Sequence, residues 1–102
     1  AHIGACAVYH ACVHNLVHER SAGILDSLYK QARFVLRAKV YSETGTFLRT
    51  TSDLIVNTEG TDRTIASGPH GDLLVDSETL ISWSSNIITA YRDRQGRTHR
   101  RL

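Results

Sequence analysis

The sequence predicts an α+β fold: one N-terminal helix packed on a curved antiparallel sheet of five or six meander strands, in a single domain spanning 1–102. Three observations carry this expectation. The first twenty residues repeat apolar positions at helical spacing, and residues 33–41 alternate with a period of two. A short loop ending in glycine recurs at Glu43-Thr44-Gly45, Thr58-Glu59-Gly60 and Arg94-Gln95-Gly96, the pattern of a three-residue hairpin whose last position is left-handed.

Taken in order, Ala5, Val8, Cys12 and Leu16 share one helical face with Tyr9, Val13 and Val17 on its shoulder, predicting an amphipathic helix from about Ile3 to Arg20. Ser21-Ala22-Gly23 offers a C-terminal stop, with a further turn or two through Ile24, Leu25 and Leu28. From Arg33 to Tyr41, Phe34, Leu36, Ala38 and Val40 alternate with Val35, Arg37, Lys39 and Tyr41, as in a strand with one face on a core. The glycine loops then join strands at about 32–42 with 46–57, 46–57 with 61–67, and 85–93 with 97–102. Gly68-Pro69-His70-Gly71, with the one proline, is a break before a strand through Leu73 to Val75.

The stretch from Ser77 to Tyr91 supports two readings. Leu80, Trp83, Ile87 and Tyr91 sit at helical spacing, and Asp76 or Ser77 can cap such a helix. The many β-branched and aromatic residues, and the loop at Gly96 that needs a strand before it, favour strand. The N-terminal helix is the one element able to cover the resulting sheet. Its other face, with Arg37, Lys39, Tyr41, Arg49 and several threonines, is wet or covered by a second copy, and its aromatic content favours self-association as a homodimer.

At 102 residues, 41% hydrophobic and 22% charged, the chain suits one soluble domain with one core. Apolar runs such as Leu54-Ile55-Val56 are too short for a membrane span, and no signal peptide is visible. The absence of methionine reads as a processing boundary at residue 1. Cys6 and Cys12 cannot form a disulfide framework, so free thiols in a reducing, cytoplasmic compartment are expected. Residues 91–102 carry five arginines against Asp93, a charge of +4, whereas the whole chain sums to +2.

His2, Cys6, His10, His14 and His18 stand four residues apart. Each such step turns about 40° around a helix, so at most two neighbours can share a metal ion, and the glutamate of hydrolytic zinc helices is absent. A polar helix flank is the plainer reading, and no metal or cofactor is expected. Cys6 or Cys12 beside His10, and Ser84 or Ser85 beside Asp76 and Glu78, lack any nucleophile signature, and burial as a small residue explains Cys12 better. No phosphate-cradling glycine loop is present, and whether the chain is an enzyme stays open. A pocket between helix and sheet would be lined by Tyr9, His10, His70, Asp72, Trp83 and Tyr91. On the last hairpin, Arg92, Arg94, Arg97 and Arg100 form a candidate phosphate-binding ribbon for nucleic acid or an acidic partner, or a charged, protected edge.

In the last third, Asp76-Ser77-Glu78-Thr79, Ser85-Asn86 and Tyr91-Arg92 resemble the late strands of the NTF2-like superfamily. Gly71-Asp72-Leu73-Leu74-Val75 with Asp93-Arg94-Gln95-Gly96-Arg97 likewise resembles the end of hot-dog thioesterases. Both resemblances imply a helix on a curved sheet, and neither carries a catalytic residue across. The sequence thus points to a small domain that binds an apolar ligand, pairs with itself, or does both. Its rival is an assembly subunit that contacts nucleic acid or a partner protein through the arginine hairpin.

Overall fold

The computed structural model describes residues 2–100, and the side chains of residues 2–94; among the described residues every regular element is helical. Helix α1 (His2–His14) runs on as a π-helical turn, Asn15–Glu19, and is followed by α2 (Ala22–Thr44), α3 (Thr51–Val56), α4 (Gly60–Ser67) and α5 (Leu73–Arg100). The expected α+β fold, with its antiparallel sheet, is therefore corrected to an all-α one, and the curved sheet on which the NTF2-like and hot-dog resemblances rested is missing from the described residues. α1 packs on both α5 and α2, and α4 bridges α2 and α5 while carrying α3.

The first helix follows its sequence pattern, burying Ala5, Val8 and Cys12. Its π-helical extension ends at Glu19, close to the expected Arg20, with the left-handed residue three positions before Gly23. Buried Asn15 brackets the turn, its Oδ1 accepting from the Ser21 N–H and its Nδ2 donating to the Ser21 carbonyl, both at 3.1 Å, while Arg20 takes a left-handed φ of 51°. Ser21 is thereby free to cap the next helix, its Oγ accepting from the Ile24 N–H.

The alternation at 33–41 misled because strand and helix periods share members over so short a span. Leu36 and Val40 belong both to the alternating set and to the set that α2 buries, which is Leu25, Leu28, Tyr29, Ala32, Val35, Leu36 and Val40. That spacing of three and four holds from residue 25 to 40, and no glycine or proline interrupts it. Phe34, the expected core residue of a strand, is 63% exposed.

The glycine loops are helix ends or helix interior. Gly45, at φ 75°, closes α2 by donating its N–H to the Tyr41 carbonyl, because the left-handed residue of a hairpin loop is also what a helix C-terminus requires. Thr58 and Glu59 link α3 to α4, which Gly60 opens, and Gly96 lies within α5. The segments read as strands at 46–57 and 61–67 hold α3 and α4, and Leu73–Val75 is the first turn of α5. Across 77–91 the helical alternative prevails: Leu80, Trp83 and Ser84 are buried on one stripe of α5. The cap is Asp72 rather than Asp76 or Ser77, with the Val75 N–H donating to Asp72 Oδ1 at 3.0 Å.

Two polar nodes lock these helices together. Fully buried Tyr29 donates its hydroxyl to the Asp76 carbonyl at 2.6 Å, and its ring lies so close to Gly68 that a Cβ there would stand 2.5 Å from Tyr29 Cε2. The Asp76 carboxylate accepts from the His70 and Gly71 N–H groups, tying down the loop that contains the cis Gly68–Pro69 peptide. At the second node, Asp62 of α4 accepts from Trp83 Nε1 on α5 and from Lys39 Nζ on α2, each at 2.9 Å. Burial pulls the Lys39 ammonium pKa down, but Asp62 and Glu43 more than offset this and leave it above the ordinary lysine value.

Replacing Asp62 with Ala removes the acceptor of the buried Trp83 indole, and a loss of about 2 kcal/mol is expected in denaturant unfolding followed by tryptophan emission. No measurable loss would count against the node. A second expectation concerns alkaline pH. Burial pushes the Cys12 thiol up to about 11 from an ordinary 9.0, against a weaker opposing contact with Ser77, so the folded state keeps a proton that the unfolded state loses. The stability this contributes is complete below pH 9 and is lost as pH rises to about 11. The stability difference between the unmodified protein and Cys12→Ala should therefore be level below pH 9 and shrink between 9 and 11; a level difference throughout would refute it.

Candidate functional site

The expected pocket does not assemble. Asp72 caps α5 at one end and Tyr91 lies nineteen residues along it, a separation of about 28 Å on a straight helix. Tyr91 stacks on His2 with ring centroids 3.9 Å apart, beside a depression of about 350 Å³ shared with Lys39, Glu43 and Arg94. Asp72 borders a different, apolar groove of about 760 Å³ with Leu16, Val17 and Leu74. Trp83 is buried on Asp62, Tyr9 and His10 meet edge to face on α1, and exposed His70 lies beside Ser67 and the Thr64 carbonyl.

The arginine hairpin is likewise corrected, since α5 continues through Gly96 and, among the described residues, no second strand returns along it. Arg92 and Arg94 are exposed on α5, whereas the side chains of Arg97 and Arg100, and all of Arg101, lie outside the described residues. His14 and His18 pair ring to ring at 4.7 Å, and among the described residues no group of three or more His, Cys, Asp or Glu side chains converges on a point. Cys6 is half-buried, 3.6 Å from His2 Nε2, and Cys12 is fully buried with its thiol on the Ser77 carbonyl.

The residues that do converge lie on the outer face of α2. Lys30, Arg33, Phe34 and Arg37 follow one another at helical spacing, opposite the stripe that α2 buries. The chain then doubles back after Gly45. Leu48 is buried and its carbonyl accepts from Arg37 Nε at 3.1 Å, so its neighbours Phe47 and Arg49 are left exposed on the same side as the helix residues. Together with Thr51 they line a depression of about 300 Å³ holding four cations and no carboxylate.

This arrangement is suited to an anion that carries flat, apolar surface. Arg33 is anchored by donating one N–H to the Gly68 carbonyl at 3.0 Å, and Arg37 by its bond to Leu48. A guanidinium has five N–H donors, so each arginine is oriented by one bond and retains others for phosphate oxygens. Arg37 Cζ lies 5.4 Å from the Phe34 ring centroid, which braces both groups. Phe34 and Phe47 are 63% and 61% exposed, an unusual placement for the chain's two phenylalanines.

Sequence reasoning missed this site because the strand reading put Phe34 on one face and Arg37 on the other. Read at helical period, the signal is plain: Lys30, Phe34, Arg37 and Tyr41 at i, i+4, i+7 and i+11. What no local pattern carries is the return of Phe47 and Arg49 to that stripe. Among the described residues no helix is long and apolar enough to cross a membrane. Comparison of the chain with protein-family models, characterised proteins and solved structures finds no match.

Proposed function

We propose that this is a helical domain that binds single-stranded nucleic acid through the outer face of α2. The observation that carries the reading is the combination, in one depression, of Lys30, Arg33, Arg37 and Arg49 with two exposed phenylalanine rings and no acid. Cations neutralise backbone phosphates, and exposed rings stack on bases, which are available in a single strand but already stacked in a duplex. Charge distribution supports this: the four site cations and the +4 of residues 91–102 sit on a chain whose net charge is only +2, so the remaining surface is acidic and repels the same ligand.

The reading keeps the nucleic-acid partner that the sequence suggested and moves its contact from a C-terminal hairpin to α2. The alternative of self-association rested on an uncovered sheet face, and that ground falls with the sheet.

Anisotropy of a labelled twelve-nucleotide oligo-U or oligo-dT tests the proposal. Four neutralised phosphates give a slope of log K against log salt near −3, since each contributes about 0.7 on a single strand. Lys30 and Arg49 are exposed, so Lys30→Gln with Arg49→Gln should leave helicity intact and roughly halve the slope. Absence of binding at low salt, or equal affinity for a duplex, overturns the reading.

A further inference from the structure

The depression is one part of a longer track. Phe47 meets Tyr41 edge to face with ring centroids 6.4 Å apart, and Tyr41 is itself 55% exposed although it lies outside the residues lining the depression. Of the seven aromatic residues in the chain, Phe34, Phe47 and Tyr41 are thus three exposed rings on one side of α2, with Arg37 set against the first. The run has natural ends. Between Asp26 and Glu43, α2 contains no carboxylate, and Glu43 is held by Lys39 at 3.4 Å. From Lys30 to Tyr41 the helix rises about 16 Å.

Resting on the single-strand reading above, we infer that the site grips several consecutive nucleotides and that Tyr41 is the outer stacking residue that sets how many. Bases at a stacked separation of about 3.4 Å, or splayed somewhat further, place on the order of three to five nucleotides along such a track. Phe34 receives a base at the inner end, where Lys30, Arg33, Arg37 and Arg49 surround it. Phe47 and Tyr41 extend the surface toward the C-terminus of α2, where Lys39 is already engaged by Asp62 and Glu43 and supplies no cation to the strand. The outer end therefore contributes through its rings rather than through charge, so its contribution depends on strand length and only weakly on salt.

Binding of labelled oligo-U and oligo-dT of two to eight nucleotides, measured with the full chain, tests this. For the unmodified protein, affinity should climb to a length of about four or five and then level off. Tyr41→Ser should bind the dinucleotide as the unmodified protein does, lose about tenfold on the longer strands, and level off about one nucleotide sooner. Tyr41→Phe, which keeps the ring, should restore the normal profile, and Phe34→Ser should weaken every length. Because Tyr41 is exposed, circular dichroism should show the same helix content in all variants. Tyr41→Ser matching the unmodified protein at every length overturns this inference and leaves the single-strand reading standing. No binding of any oligonucleotide by the unmodified protein, or equally tight binding of an oligo-glutamate peptide, overturns both.

Discussion

The contact on which the other contacts of this fold depend is the hydrogen bond from the buried Tyr29 hydroxyl to the Asp76 carbonyl. A phenol taken out of water needs a partner, and leaving it without one costs about 1–3 kcal/mol, so α2 is held at one register against the start of α5. Burial drives the Tyr29 pKa upward, with Asp76 and Cys12 adding to it, which keeps the hydroxyl protonated as a donor. The same residue fixes the loop before α5, because its ring lies against Gly68 where any side chain would collide. Asp76 completes the node by accepting two N–H groups of that loop through its carboxylate.

This node and the Asp62 node tie the helices together through buried and half-buried polar groups. Asp62 joins three helices through two oxygens, Asn15 joins two through one amide, and Cys12 is a neutral thiol with its hydrogen directed at a carbonyl. Each is matched to a hydrogen-bond partner. Outside the core, α2 presents cations and rings. α2 can do so because its other face is fully used: seven of its residues are buried in the core.

The basic face is not independent of the core that supports it. Arg33 reaches the Gly68 carbonyl in the loop that Tyr29 and Asp76 hold, and Arg37 reaches the Leu48 carbonyl in the segment that returns along α2. The bonds that orient the two guanidinium groups are thus the bonds that pin two connecting loops, and the basic face and the fold share residues. Lys30 and Arg49, at the rim, contribute charge without that duty. Such a division between anchored, oriented arginines and exposed peripheral cations suits an extended polyanion, which needs a few fixed contacts and tolerance elsewhere.

How much of this was legible depends on the length over which a pattern runs. Local periodicity was enough for the first helix, because Ala5, Val8 and Cys12 lie in a segment with no competing period, and composition and residue type were enough for the charge balance and the burial of Cys12. Two of the three glycine loops do break the chain, at Gly45 and Gly60, while α5 runs on through Gly96; what the breaks separate was not legible, since a left-handed residue ends a helix as readily as it closes a hairpin. Packing between helices, rather than local preference, makes residues 33–41 and 77–91 helical. Their β-branched and aromatic residues disfavour helix by a few tenths of a kcal/mol each, and burying Val35, Leu36, Leu80 and Trp83 among α1, α2, α4 and α5 outweighs that bias. The site was decided there too, because Phe47 and Arg49 come beside Lys30 and Arg33 only when Leu48 is drawn into the core, and a contact across so many residues leaves no mark on the local sequence.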